Sequence, residues 1–142
     1  MQLRVFGRTG MQLSVLGFGC GAVGGIMVRG DPADQERTIA RAIAAGVNYF
    51  DTAVLYGDGE SETNLGRVLQ KLKPANAVVG TKVRLAPGEF GRIGDAVRES
   101  LEGSLARLRL DPPVDLGPGV TSAARTPSAC PGSPPGFLPG CL

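Results

Sequence analysis

The chain has 142 residues, enough for one domain and too few for two of ordinary size. It is 42% hydrophobic and 20% charged, as a soluble globular protein is, and its fifteen basic and thirteen acidic residues leave a net charge of +2. That balance offers no electrostatic case for a nucleic-acid partner or an anionic membrane surface. No apolar stretch reaches the ~18 residues of a membrane span, and Met1-Gln2-Leu3-Arg4 lacks the apolar core of a signal peptide. Cys20, Cys130 and Cys141 form no metal-type or disulfide framework, so a cytoplasmic protein without a metal is expected. Histidine is absent altogether, which removes His-based triads, imidazole metal sites and any histidine acid or base.

In chain order, residues 3–6, "GRTG" at 7–10 and residues 12–16 read as a hairpin with a glycine turn. Asp31 and Pro32 predict a helix start, with Ile39, Ala40, Ile43 and Ala44 on one stripe and Gly46 at the end. "VNYFD" at 47–51 predicts a strand. Ser61 is placed to cap a second helix whose Leu65, Val68, Leu69 and Leu72 share a face, with Glu62 near its positive end. "AVVGTKV" at 77–83 predicts a third strand. Ile93, Val97, Leu101, Leu105 and Leu108 mark a third amphipathic helix, and "VDL" at 114–116 opens a fourth strand. Alternating strands and helices imply a parallel sheet, either doubly wound or closed into a barrel.

The segment "GFGCGAVGG" at 17–25 contains a letter-perfect G-x-G-x-x-G, Gly19 to Gly24. A dinucleotide-binding turn of the Rossmann kind needs its helix to begin within the glycines and an acidic residue ~20 positions on. Here the first strong helix cap is Asp31, and the acid ending the next strand is Asp51, 27 residues after Gly24. The Rossmann reading therefore fits poorly. The plainer alternative is a strand-to-helix loop whose glycines permit a tight turn and close approach of a ligand. Cys20 within it reads as a filler of the loop, since no histidine is present to activate a thiol.

"GVNYFDTAVLYGDGESETNLG" at 46–66 resembles the signature of the aldo-keto reductase family. "FGRTGMQLSVLGFG", "GTKV" and "RESLEGSLARLRLDPPVDL" stand in family order around it, so that the resemblance covers residues 1–116. It implies a (β/α)8 TIM barrel, NADP(H) bound without a Rossmann fold, and a small-molecule carbonyl substrate reduced by hydride transfer. Barrel enzymes place reacting groups at the carboxyl ends of strands. By resemblance, Tyr56 is the catalytic acid/base, Lys82 tunes it, and Asp51 is the positioning carboxylate. Gly19, Cys20, Gly21 and Asp51 would lie beside the nicotinamide. Taken singly, each has a plainer role: Asp51 as a turn cap, Tyr56 as a partly buried surface residue, Lys82 as a solvated strand end. A phenol is a poor acid at neutral pH, and a neighbouring ammonium favours its ionised form, which is why this trio is chemically sensible together.

Beyond residue 116 the pattern departs from the family. Its fourth catalytic residue, a histidine just after the "VDL" strand, has no counterpart, and a barrel needs ~250 residues. Residues 117–142 hold six prolines and five glycines, with Arg125 the only charge, and are expected to be coil of non-family origin, as a shifted reading frame or an alternative 3′ end would produce. The expectation is thus an α/β half-barrel (residues 1–116) with an N-terminal hairpin and a disordered tail. Such a chain would be truncated and inactive alone, with an unpaired parallel strand edge and apolar surface that promotes self-association. The alternative to a reductase is a non-catalytic fragment, inert or binding partners through that edge.

Overall fold

The computed structural model describes residues 1–21, 23–110 and 123–125. Strands β1 (Leu3–Val5) and β2 (Gln12–Ser14) form the expected antiparallel hairpin, with Leu3 opposite Ser14 and Val5 opposite Gln12. Its turn uses Gly7 and Gly10 at positive φ, which glycine adopts without a Cβ penalty. Asn48 pins the hairpin to the sheet. Its Oδ1 accepts from the Ser14 N–H at 2.7 Å, its Nδ2 donates to the Gln12 carbonyl at 2.8 Å, and its own N–H donates to Ser14 Oγ. Because Asn48 immediately precedes the strand that begins at Tyr49, the hairpin lies at the amino-terminal end of the sheet.

Three short strands run parallel in chain order: β3 (Phe18–Gly19), β4 (Tyr49–Asp51) and β5 (Val78–Gly80). The register sets Gly19 beside Asp51 and Asp51 beside Gly80. Between them come α1 (Ile26–Arg29), α2 (Pro32–Ala44) and α3 (Glu60–Leu72). A 3-10 segment (Pro87–Arg92) then leads into α4 (Ile93–Leu108). The single-turn α1, which begins directly after Gly25, is a helix that hydrophobic periodicity over four residues cannot reveal. Asp31 caps α2 as expected, its carboxylate accepting from the Ala33 N–H at 2.8 Å ahead of Pro32. The core lies between the sheet and the helices, where Phe50, Val79, Ile39, Leu65, Leu69 and Leu105 are buried. Alternation along β4 turns Phe50 into this core and sends Tyr49 and Asp51 to the opposite face, which in a closed barrel faces the interior.

The structure corrects the sequence reading at the far edge of the sheet. Residues 114–116, read as a fourth strand, lie outside the described residues. The position beside β5 is taken by β6 (Ala123–Arg125), which pairs antiparallel, Val79 opposite Ala124. This three-residue strand falls within residues 117–142, where coil is expected from the sequence, and it pairs with β5 on the side away from β4. The physical reason is local: an exposed strand edge presents a row of free N–H and C=O groups, and Ala123-Ala124-Arg125 is a proline-free run able to satisfy them. The rest of 117–142, including the expected coil, lies outside the described residues.

Candidate active site

The carboxyl ends of β3, β4 and β5 form one rim, and the three chemically distinctive side chains meet there. Asp51 is the last residue of β4. Tyr56 follows in a loop tightened by Gly57, Asp58 and Gly59, all at positive φ. Lys82 stands two residues past β5. Its Nζ donates to both Asp51 carboxylate oxygens, at 2.9 and 2.7 Å, to the Thr52 carbonyl at 3.0 Å, and to the Tyr56 hydroxyl at 3.2 Å. The ammonium also lies 4.8 Å from the centre of the Tyr56 ring. Partial burial by itself would lower the Lys82 pKa. The hydrogen bonds with Asp51 and Tyr56 outweigh it and raise the value above the ordinary lysine range, so the ammonium form is favoured. Lys82 and Asp51 both retain solvent access, as groups at an open rim do.

Gly19 and Gly21 of the 17–25 segment sit on the same rim. Gly19 faces Asp51 across the β3–β4 pairing, and a Cβ built there would meet nothing within 4 Å. Gly21 lies against the Tyr56 ring at ordinary van der Waals distance, 3.6 Å from a built Cβ. Cys20 between them turns inward. Its side chain is buried in the core, its N–H donates to the Asp51 carbonyl at 2.8 Å, and its carbonyl accepts from Ser61 at 2.9 Å. Burial first, then the Asp51 carboxylate, push its thiol up to about 12 against a lowering effect of Lys82, so it is a packed side chain and no nucleophile at neutral pH.

Two residues do other work than their sequence positions suggested. Ser61 does not cap α3; Gly59, at φ 89°, occupies that place. Ser61 is fully buried, and its hydroxyl pairs with Thr52 Oγ1 at 3.0 Å as well as bonding the Cys20 carbonyl. Glu62 is not a solvated charge at the helix start. It is completely buried, accepting from Thr81 Oγ1 at 2.5 Å and from Arg107 Nε of α4 at 2.6 Å. A signal for Ser61 was present, since 61, 65, 68, 69 and 72 share one helical face. Glu62 had none, because its partners are 19 and 45 residues away. Sequence reasoning also passed over Tyr49, which shares the face of Asp51. The built Cβ of Gly17 would come within 2.8 Å of its ring, and that of Gly80 would collide with its hydroxyl, so glycine just before β3 and at the end of β5 lets the ring lie across the sheet.

Strand–helix units with a charged rim at the carboxyl ends of parallel strands define part of a (β/α)8 barrel. The profile of the aldo/keto reductase family matches residues 15–116. The chain is 34% identical over 113 residues to L-galactose dehydrogenase of Arabidopsis thaliana, covering 78% of this chain and 35% of that protein. It is similar to the glycerol dehydrogenase of Gluconobacter oxydans at 38% identity and a TM-score of 0.58, covering 75% of this chain and 35% of that one. It is also similar to an aldo-keto reductase of Klebsiella pneumoniae solved in complex with NADPH, at 28% identity and a TM-score of 0.57, covering 76% and 35%. The chain belongs to the aldo/keto reductase family of oxidoreductases, and it spans about a third of the length of these relatives.

Among the described residues, no helix is long and apolar enough to cross a membrane.

Proposed function

We propose that this chain carries the proton-donor half of an NADP(H)-linked carbonyl reductase site, in which an aldehyde or ketone is reduced to an alcohol. The observation that supports it most strongly is the single ammonium of Lys82, shared between the Asp51 carboxylate and the Tyr56 hydroxyl. Reduction places negative charge on the carbonyl oxygen, and a proton must reach it in the transition state. Tyr56 Oη delivers that proton. Lys82, donating to the same oxygen, stabilises the phenolate that remains, and Asp51 holds Lys82 charged and in place. These three roles follow from chemistry and geometry together with the family resemblance.

The fit of the cofactor rests on the open space above Gly19 beside Asp51, where any Cβ would intrude on a flat ring, and on Gly21 against Tyr56. The Cys20 backbone between them keeps both glycines at the rim. NADP(H), bound there, supplies the hydride; a relative solved with NADPH favours it over other carriers. The 142 residues include no histidine for the fourth catalytic role, so slow or absent turnover by this chain alone is part of the proposal. The assay is purified chain with NADPH and a reactive aldehyde, following loss of reduced-cofactor absorbance. Turnover that disappears in Tyr56→Phe establishes the role of the phenol and overturns the expectation of inactivity. NADPH binding without turnover supports the proposal in full, and absence of binding rejects the cofactor site.

A second reading, a non-catalytic module, is favoured by one observation: Leu55 and Val83 stand well exposed beside the rim. It requires self-association or partner binding in a chain that binds no NADPH, which sedimentation and cofactor titration separate from the first.

A further inference from the structure

The first turn of α3 contributes two consecutive, fully buried polar side chains, Ser61 and Glu62, and neither is needed for the helix cap. Each reaches up to the end of a different strand. Ser61 ties Thr52, the residue after Asp51, to the carbonyl of Cys20 at the end of β3. Glu62 ties Thr81, the residue before Lys82. A buried carboxylate is costly unless compensated, and here Arg107 of α4 supplies the counter-charge while also donating to Ser104 Oγ. Val83 and Arg84 beyond it are exposed, so the Thr81 bond anchors the backbone beside Lys82 to the helix from below, while the Lys82 ammonium is held at the rim above.

We infer that Glu62 is a positioning residue for Lys82, acting through Thr81, with Arg107 making its burial tolerable. The Ser61–Thr52 pair holds Asp51 from the same helical turn. The rim is thereby assembled on a template: adjacent residues of one helix set the two charged groups whose contact fixes the ammonium beside Tyr56. This assignment rests on the reading of Lys82 as the partner of Tyr56, but its consequence is visible without cofactor or turnover. The groups facing Lys82 are the Asp51 carboxylate, the Thr52 carbonyl and the Tyr56 hydroxyl, and Tyr49 on β4 senses the charges of Asp51 and Lys82.

The chain has three lysines, Lys71, Lys73 and Lys82, so acetylation by acetic anhydride, mapped by mass spectrometry, reports the reactivity of Lys82 against exposed Lys73 in the same molecule. Each unit by which the ammonium is less favoured frees tenfold more neutral amine, and Thr81→Val is expected to raise the Lys82-to-Lys73 rate ratio about threefold to tenfold. Thr81→Ser, which keeps the hydroxyl, is expected to restore the wild-type ratio. Glu62→Met, which keeps the bulk and removes both acceptor oxygens, is expected to raise it as well and serves where Thr81→Val folds poorly. The assignment is overturned if Lys82 reacts at the wild-type ratio in folded Thr81→Val or Glu62→Met, or if Thr81→Ser accelerates it as valine does. Failure here leaves the proton-donor role of Tyr56 intact. Loss of NADPH turnover or binding, conversely, would not alter the labelling ratios.

Discussion

The ammonium of Lys82 sits 3.2 Å from the hydroxyl of Tyr56, although 25 residues and an entire helix separate the two in the chain. The contact exists because β4 and β5 are parallel neighbours in register, so the residues leaving their carboxyl ends emerge side by side. Asp51, opposite Gly80 in that pairing, completes the cluster with two hydrogen bonds to the same nitrogen.

This cluster makes stability depend on alkaline pH. The Lys82 pKa is raised in the folded chain because hydrogen bonds with Asp51 and Tyr56 outweigh the lowering effect of burial. A raised value means that the folded form binds the proton more tightly. The contribution is therefore complete below the unfolded value near 10.5 and is lost as pH rises through the folded one. Urea midpoints measured up an alkaline series are expected to fall across that range, and less steeply in Asp51→Asn. Tyr49, whose phenol is raised chiefly by burial, and Cys20, whose buried thiol is pushed up to about 12, contribute slopes of the same sign, so a Cys20→Ala, Tyr49→Phe chain serves as the background. The Lys82 effect will be modest, because the side chain is half-exposed and screened.

The Glu62–Arg107 pair is expected to be asymmetric in its response to substitution. Removing Glu62 strands a partly buried guanidinium that can still reach water, whereas removing Arg107 strands a carboxylate with no exposure at all. Breaking a buried pair costs about 3–5 kcal/mol, so Arg107→Met is expected near the upper end of that range and Glu62→Met below it. Chemical denaturation of both variants and of the double variant checks the ordering. A double variant less destabilised than Arg107→Met would show that the uncompensated charge, and not lost packing, is what matters.

Two glycines in helices should respond to alanine with opposite signs. In open helical positions Gly→Ala stabilises by roughly 0.5–1 kcal/mol. Gly94, in the first turn of α4, has nothing within 4 Å of a built Cβ, and Gly94→Ala is expected to gain up to about that much. Gly66 of α3 lies under the backbone of α4, where a Cβ would stand 2.6 Å from the Leu108 carbonyl carbon. Backbone cannot yield as a flexible side chain does, so overpacking of about 1–3 kcal/mol wins and Gly66→Ala is destabilising. Paired thermal melts decide both signs.

Cys20 should be silent toward thiol reagents in the native chain. With its thiol pushed up to about 12 and its side chain in the core, thiolate is scarce and access closed. Three units above an ordinary cysteine correspond to a labelling rate roughly a thousandfold slower than in denaturant, before access is counted. Peptide mapping of native and denatured samples measures the ratio for this residue alone. A native rate within tenfold of the denatured one would contradict the packing of the β3 loop.

The sequence by itself determined the elements whose causes are local. Asp31 before Pro32 starts α2 through a side-chain hydrogen bond two residues long. Leu65, Val68 and Leu69 announce the buried face of α3 by spacing alone, and the motif from Gly46 to Gly66 pointed to the family that the profile match over residues 15–116 establishes. Only the tertiary structure decided what depends on partners far along the chain: that Lys82 reaches both Asp51 and Tyr56, that Ser61 faces strand ends instead of capping its helix, that Glu62 is buried against Arg107, and that residues 123–125 pair with β5. Capping and periodicity are written within a few residues, whereas a hydrogen bond from α4 to α3 across 45 positions is set by which elements pack side by side, and that is a property of the fold as a whole.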